Sequence, residues 1–217
     1  FMLIAGVNRE LRRRGWFGDS GTPEPDLRQL LDLVALGTVC DVVPLVGLNR
    51  AFVKQGLKVL EAGGNPGLSA LKEVAGLKDK TRASHFGFAL GPRVNAGGRV
   101  GRAELGALML ASDDAAFARD AALELDRFNR ERQAIEAFVL EQAVDQLEKT
   151  PPRAGLAAVA GEGWHAGVIG IVAGRIKDRT DLPSAVFALE GDIARASLRS
   201  VSGVNLGEAV GAAKAEG

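Results

Sequence analysis

The sequence predicts an α/β protein in three parts. Residues 1–112 read as mostly helical, 113–150 as one long helix, and 151–217 as a small α/β domain with a βαβ unit. Three observations predict this. Through the first half, apolar residues recur at threes and fours between Gly and Pro breaks. From Ser112-Asp113-Asp114 to Pro151-Pro152 the same spacing runs on without a break. Beyond the prolines the periodicity changes to short apolar runs, the mark of strands around one helix.

Composition bounds the class. With 47% hydrophobic and 25% charged residues, the 217-residue chain has the make-up of a soluble globular protein. No apolar run approaches the ~20 residues of a membrane span, and no export signal is visible, which predicts a cytoplasmic protein without a membrane partner. The single cysteine, Cys40, excludes an internal disulfide and fits a reducing compartment. A net charge of zero removes any global pull toward nucleic acid. The distribution is less even: from Gly76 to Arg102 six Lys/Arg face the single Asp79. The chain starts inside one helical pattern and stops after another, and so reads as a piece of a longer protein.

The elements follow in order. Residues 1–14 form a helix stopped by Gly15, and Gly15 to Pro25 is a surface loop of glycines and prolines. Asp26 caps a short helix over 27–36. Residues 48–62 make an amphipathic helix ended by Gly63-Gly64, and Asn65-Pro66 turns the chain into another over 68–75. His85 sits in a helical pattern beside Phe86 and Phe88, where packing explains it. In the long helix the stripe Phe117, Ala121, Leu125, Phe128, Ile135, Val139, Ala143, Leu147 is narrow and interrupted by Arg132. That favours a strut between two bodies over a coiled coil. Strands are expected over 156–160, 185–189 and 193–198, with a crossover helix over 168–178 and a last helix from Val204 onward.

Two stretches stand out chemically. Leu36-Gly37-Thr38-Val39-Cys40-Asp41-Val42-Val43-Pro44-Leu45 is almost wholly apolar and β-branched around one carboxylate, costly to bury without a positive partner. Asp41 is therefore either a turn residue ahead of Pro44 or a metal-ligating carboxylate. Gly91 to Arg102 holds four glycines, three arginines and Asn95 with no acid. As a loop, it would let backbone N–H groups and Arg93, Arg99 and Arg102 converge on a phosphate, although glycines also serve plain turns.

In the α/β domain, Trp164 and His165 fall between a strand end and a helix start, where ligands of open α/β sheets sit. Ser197 and Arg199 share one strand face and suit a phosphate, or simply the outer face of an edge strand. There is no Cys/His cluster for a structural zinc and no nucleophile elbow.

DLVALGTVCDVVPL, GFALGPRVNAGGRVG, the Phe128–Glu136 segment, GWHAGVIGIVAGRIKDR and ASLRSVSGVNL, in that order, resemble the RecJ family of single-stranded-DNA-specific exonucleases in the DHH phosphoesterase superfamily. The resemblance spans nearly the whole chain. It implies the C-terminal part of a DHH domain, a long connecting helix, and the N-terminal part of a DHH-associated domain. It also implies 5′-to-3′ hydrolysis of single-stranded DNA in repair and recombination, with Mn²⁺ or Mg²⁺ as cofactor. Implied partners are single-stranded DNA, a single-strand-binding protein and a RecQ-type helicase. By the same resemblance Asp41 is a catalytic metal ligand. Arg93, Asn95, Arg99, Trp164, His165, Ser197, Arg199 and Ser200 bind substrate, with Trp164 suited to stacking on a base.

The departures are equally informative. None of the thirteen aspartates forms an Asp-x-Asp pair and no two histidines adjoin, so the Asp-His-His that names the superfamily is missing. One aspartate cannot hold two ions. The expectation is an internal fragment, silent on its own. The alternatives are a non-catalytic single-strand-binding or scaffold relative, and a phosphoesterase of short oligonucleotides.

Overall fold

The computed structural model describes residues 1–152 and 155–216. The chain packs as two compact units. The first is Phe1–Gly97 with Arg102–Arg127, and the second is Gly98–Gly101 with Phe128–Gly217. The long helix α9 (Ala115–Lys149) is therefore shared, its first part packing in one unit and its last part in the other. Among the described residues no helix is long and apolar enough to cross a membrane.

The first unit is helical: α1 (Met2–Arg13), α2 (Trp16–Ser20), a 3₁₀ turn (Leu27–Leu30), α3 (Leu31–Cys40), α4 (Gly47–Glu61), α5 (Pro66–Val74), α6 (Ala83–His85), a π turn (Phe86–Leu90), α7 (Gly91–Val100) and α8 (Leu105–Ala111). Helices α3 and α4 pack closely because Gly56 has no side chain. A Cβ there would stand 2.1 Å from the Leu31 carbonyl oxygen. Ala35, Leu68, Leu71, Phe86, Leu90 and Met109 form the core around that contact.

Polar groups tie its connections. Asp32 is fully buried, and its Oδ2 accepts from the Asn65 N–H at 2.7 Å. Asn65 in turn caps α5, its Oδ1 accepting from the Leu68 N–H, while its Nδ2 donates to the Leu110 carbonyl. Glu61 accepts from Lys72 Nζ at 2.7 Å and from the Thr81 N–H at 2.9 Å. The Lys72 ammonium and then Thr81 hold its carboxyl down at about 2.

Three expectations are corrected here. The stretch from Gly15 to Pro25 contains a short helix, α2, rather than loop throughout. The apolar run around Asp41 is mostly the second half of α3, so Asp41 is its exposed C-cap and needs no buried partner. The glycine-rich stretch from Gly91 is helix and not an open loop, so most of its N–H groups are committed along α7. Its glycines serve contact instead. A Cβ at Gly91 would meet Cys40 Sγ at 2.3 Å, and one at Gly97 the Arg102 carbonyl oxygen at 2.4 Å.

The exit from α3 is strained. The Val42 N–H donates to the Val39 carbonyl and the Val43 N–H to the Thr38 carbonyl, the paired bonds of a Schellman turn. That motif needs a left-handed residue, and Val42 supplies it at φ 55°, where a β-branched side chain is crowded.

The second unit is a three-stranded sheet of order β1-β2-β3, with β1 (Ala157–Glu162), β2 (Ser184–Glu190) and β3 (Ile193–Arg199). β1 and β2 are parallel and β2 and β3 antiparallel, the expected crossover unit with an added hairpin. The crossover helix is α10 (Ala166–Thr180), and α11 (Leu206–Glu216) follows the sheet. Val168, Ile169, Val172, Ala173 and Ile176 of α10 meet Val159 and Val186 of the sheet and Val139 and Ala143 of α9. The outer edge of β1 is closed by one side chain: Gln146 donates to the Ala160 carbonyl at 2.8 Å and accepts from its N–H at 3.2 Å.

Not all the polar face of α9 is solvated. Glu136 is buried between the guanidiniums of Arg132 and Arg175, and Arg132 also donates to Asn129 Oδ1 at 2.8 Å. Two guanidiniums compensate the burial of the Glu136 carboxylate, and the Asn129 amide oxygen takes a further N–H of Arg132, which explains why Arg132 is tolerated in the apolar stripe.

Two outcomes follow from these local chemistries. Val42→Gly relieves the left-handed strain and raises stability by about 1 kcal/mol in urea unfolding. Glu61 is depressed when folded, so its contribution is complete above its ordinary 4.5 and is lost as pH falls toward about 2. Lys72→Met should flatten the loss of stability across that window, measured by denaturant midpoints at stepped pH.

Candidate nucleic-acid interface

The second unit gathers polar side chains around the first two turns of α10. Strand β1 ends at Glu162, Gly163 turns at φ 70°, and His165 becomes the N-cap of α10. Its Nδ1 accepts from the Gly167 N–H at 3.0 Å, which puts the proton of the neutral ring on Nε2. Gly167 and Gly170, three residues apart, lie on one face of the helix.

Each of these glycines admits a neighbour. A Cβ at Gly167 would stand 2.1 Å from the carbonyl oxygen of Arg99. The Arg99 guanidinium also donates to the Gly167 carbonyl at 3.2 Å. A Cβ at Gly170 would stand 3.1 Å from both Ser197 Oγ and Arg199 Nη2. Arg199 donates to Ser197 Oγ at 3.4 Å and to the Leu198 carbonyl at 2.8 Å. Two arginines, a hydroxyl and the positive end of a helix thus converge, with no side chain on the intervening helix face. That arrangement can accept a phosphate or another oxyanion.

The remaining expected residues are placed differently. Trp164 is buried, its Nε1 donating to Gln142 Oε1 at 2.6 Å and its ring lying over Gly161. It is a core residue, and the expected role in stacking on a base is corrected: no face of the ring is offered to solvent. Ser200 Oγ donates to the Val204 carbonyl at 2.6 Å and shapes the turn into α11.

In the first unit, Arg93 donates to Asp126 Oδ1 at 2.8 Å and to the Ala89 carbonyl at 2.7 Å, so its charge is already matched. Asn95 is exposed on α7. Asp41 is exposed at the end of α3. Among the described residues no group of three His, Cys, Asp or Glu side chains converges on a point that could hold an ion. Its carboxylate, at the carbonyl end of α3, suits one ligand of a cation, but the residues present do not make an ion site.

Residues 153–217, which make up most of the second unit, match the DHHA1 domain. The chain as a whole is similar to the single-stranded-DNA-specific exonuclease RecJ. It is 44% identical to RecJ of Dickeya dadantii over 218 residues, covering 97% of this chain and 38% of that protein. To RecJ of Escherichia coli it is 42% identical over 219 residues, with the same coverages of 97% and 38%. The crystal structure of RecJ in complex with Mg²⁺ from Thermus thermophilus matches at 36% identity and a TM-score of 0.77, over 91% of this chain and 30% of that one. A crystal structure of exonuclease RecJ bound to manganese matches at 36% identity and a TM-score of 0.75, over 89% and 48%. The chain therefore spans well under half the length of the curated proteins it resembles.

The residue pattern singles out Arg99, His165, Ser197 and Arg199 but not Gly167 and Gly170, on which their arrangement depends. The signal was present as two glycines at helical spacing just after a cap residue, GWHAGVIG. Gly167→Ala drives a methyl into a backbone carbonyl that cannot rotate away. It should cost about 1–3 kcal/mol in denaturant unfolding, whereas Gly174→Ala, with nothing within 4 Å, should be neutral or stabilising.

Proposed function

We propose that this chain is part of a metal-dependent single-stranded-DNA exonuclease acting in the 5′-to-3′ direction, in cytoplasmic DNA repair and recombination, and that its second unit binds the 5′ end. The observation that carries the proposal is the gathering of Arg99, Ser197 and Arg199 against the glycine face of α10, capped by His165. A terminal phosphate, with more charge than an internal one, has the strongest claim on two guanidiniums, a hydroxyl and a helix start.

In this reading Asn95, exposed in the first unit, is a substrate contact on family resemblance alone. Arg93, neutralised by Asp126, fixes the start of that helix. Asp41 supplies one ligand of the Mn²⁺ or Mg²⁺ on which hydrolysis depends, the other ligands coming from outside these residues. Single-stranded DNA is the partner that the site's chemistry addresses. A single-strand-binding protein and a RecQ-type helicase belong to the same proposal on family resemblance alone.

The test is fluorescence anisotropy with short oligothymidylates, alike except for a 5′-phosphate or a 5′-hydroxyl. The 217-residue chain should prefer the phosphorylated strand, and Arg199→Ala should abolish that preference. Arg99→Ala should weaken binding and lower the salt slope by about 0.7. With Mn²⁺ added, the chain alone should leave both strands intact. Equal, salt-insensitive binding of the two strands overturns the proposal for the second unit. Robust hydrolysis by the chain alone overturns the assignment of the remaining metal ligands to residues outside it.

A further inference from the structure

The phosphate site described above uses Ser197 and Arg199 of β3 but leaves a third polar residue of the same strand unassigned. Arg195 lies two residues before Ser197, so Arg195, Ser197 and Arg199 project from one face. The register fixes which face. Arg195 pairs with Ala188, and Ala188 with Gly161, the residue that carries the Trp164 ring. It is thus the face that α10 covers, at the end where α10 begins.

Direction makes the placement firmer. β1 and β2 are parallel and joined by α10, so α10 runs against both; β3 is antiparallel to β2 and so runs with α10. Gly170 faces Ser197 and Arg199. Two residues toward the start of β3 span about 6.5 Å, or about four residues of helix, which reaches Ala166 beside the His165 cap. Arg195 is exposed there. Among the described residues no ion pair or hydrogen bond engages its side chain, although Glu162, Glu190 and Asp192 occupy the same end of the sheet.

We infer that Arg195 is a second phosphate-binding residue, holding the internucleotide phosphate next to the terminal one taken by Ser197 and Arg199. The inference rests on the proposed 5′-end site and extends it from a point to a track. Two-residue steps along a strand match the separation of neighbouring phosphates in an extended single strand. A row of like charges without carboxylate partners also favours a polyanion over a single small anion. The ligand class is accordingly a 5′-phosphorylated single-stranded oligonucleotide of at least two nucleotides.

The experiment compares two probes, thymidine 5′-monophosphate and 5′-phosphorylated octathymidylate, against the 217-residue chain at stepped salt. Arg195→Ala should weaken the octamer about tenfold and lower its salt slope by about 0.7, with the mononucleotide unchanged. Arg195→Lys should recover most of the octamer affinity, since a phosphate contact needs charge more than geometry. Arg199→Ala should weaken both probes. Melting curves of the Arg195 variants should overlay the parent, and the Lys variant carries the comparison if the Ala variant does not fold. Octamer binding unchanged in Arg195→Ala overturns the second contact while leaving the 5′-end site standing. Equal weakening of both probes also overturns it, by making Arg195 part of the terminal site. Failure of the parent chain to bind either probe overturns the 5′-end site and this inference with it.

Discussion

The second unit depends on one close approach: the carbonyl oxygen of Arg99 lies where a side chain of residue 167 would begin. Only glycine permits it. That contact seats the Gly98–Gly101 segment on the start of α10, and it keeps Arg99 beside the helix end that His165 caps. Three residues further along, the same absence of a side chain at Gly170 lets Ser197 and Arg199 reach the helix from β3. A face that suits a phosphate arises because α10 has been stripped of side chains where β3 and the end of α7 come closest.

Charge is managed differently in each unit. In the first, the guanidinium of Arg93 and the carboxylate of Asp126 neutralise each other at low exposure, while Glu61 pairs with Lys72 nearer the surface. In the second, Glu136 absorbs Arg132 and Arg175, while Arg195, on the exposed edge strand, has no carboxylate partner among the described residues. Buried pairs of this kind hold elements in register rather than adding much net stability, because desolvation offsets their attraction. Unmatched cations near a helix N-terminus favour an incoming anion.

Element type was largely legible in the residues. Capping at Asp26, Asn65 and Asp114 and the break at Pro151-Pro152 mark helices that the structure contains. The change of periodicity after the prolines marks the crossover unit. Legibility failed where a residue type has two uses. Glycines at 91, 97 and 101 read as a phosphate-cradling loop, yet they make room for Cys40, for the Arg102 carbonyl and for the Phe128 ring. Trp164 read as an exposed aromatic in a polar loop, yet its ring covers Gly161 and its N–H is satisfied by Gln142, twenty-two residues earlier.

By itself the sequence determined local matters: where helices and strands start, the alternation that puts Ser197 and Arg199 on one face, and the lack of any Asp-x-Asp pair or adjoining histidines. These are set by caps, periodicity and composition, all short-range. Only the tertiary structure decided which arginines are spent on internal carboxylates and which face solvent. It alone showed that Asp41 ends a helix in the open and that two glycines of α10 admit β3 and the end of α7. Those outcomes depend on residues tens of positions apart meeting at distances of a few ångströms, and no local pattern encodes such meetings.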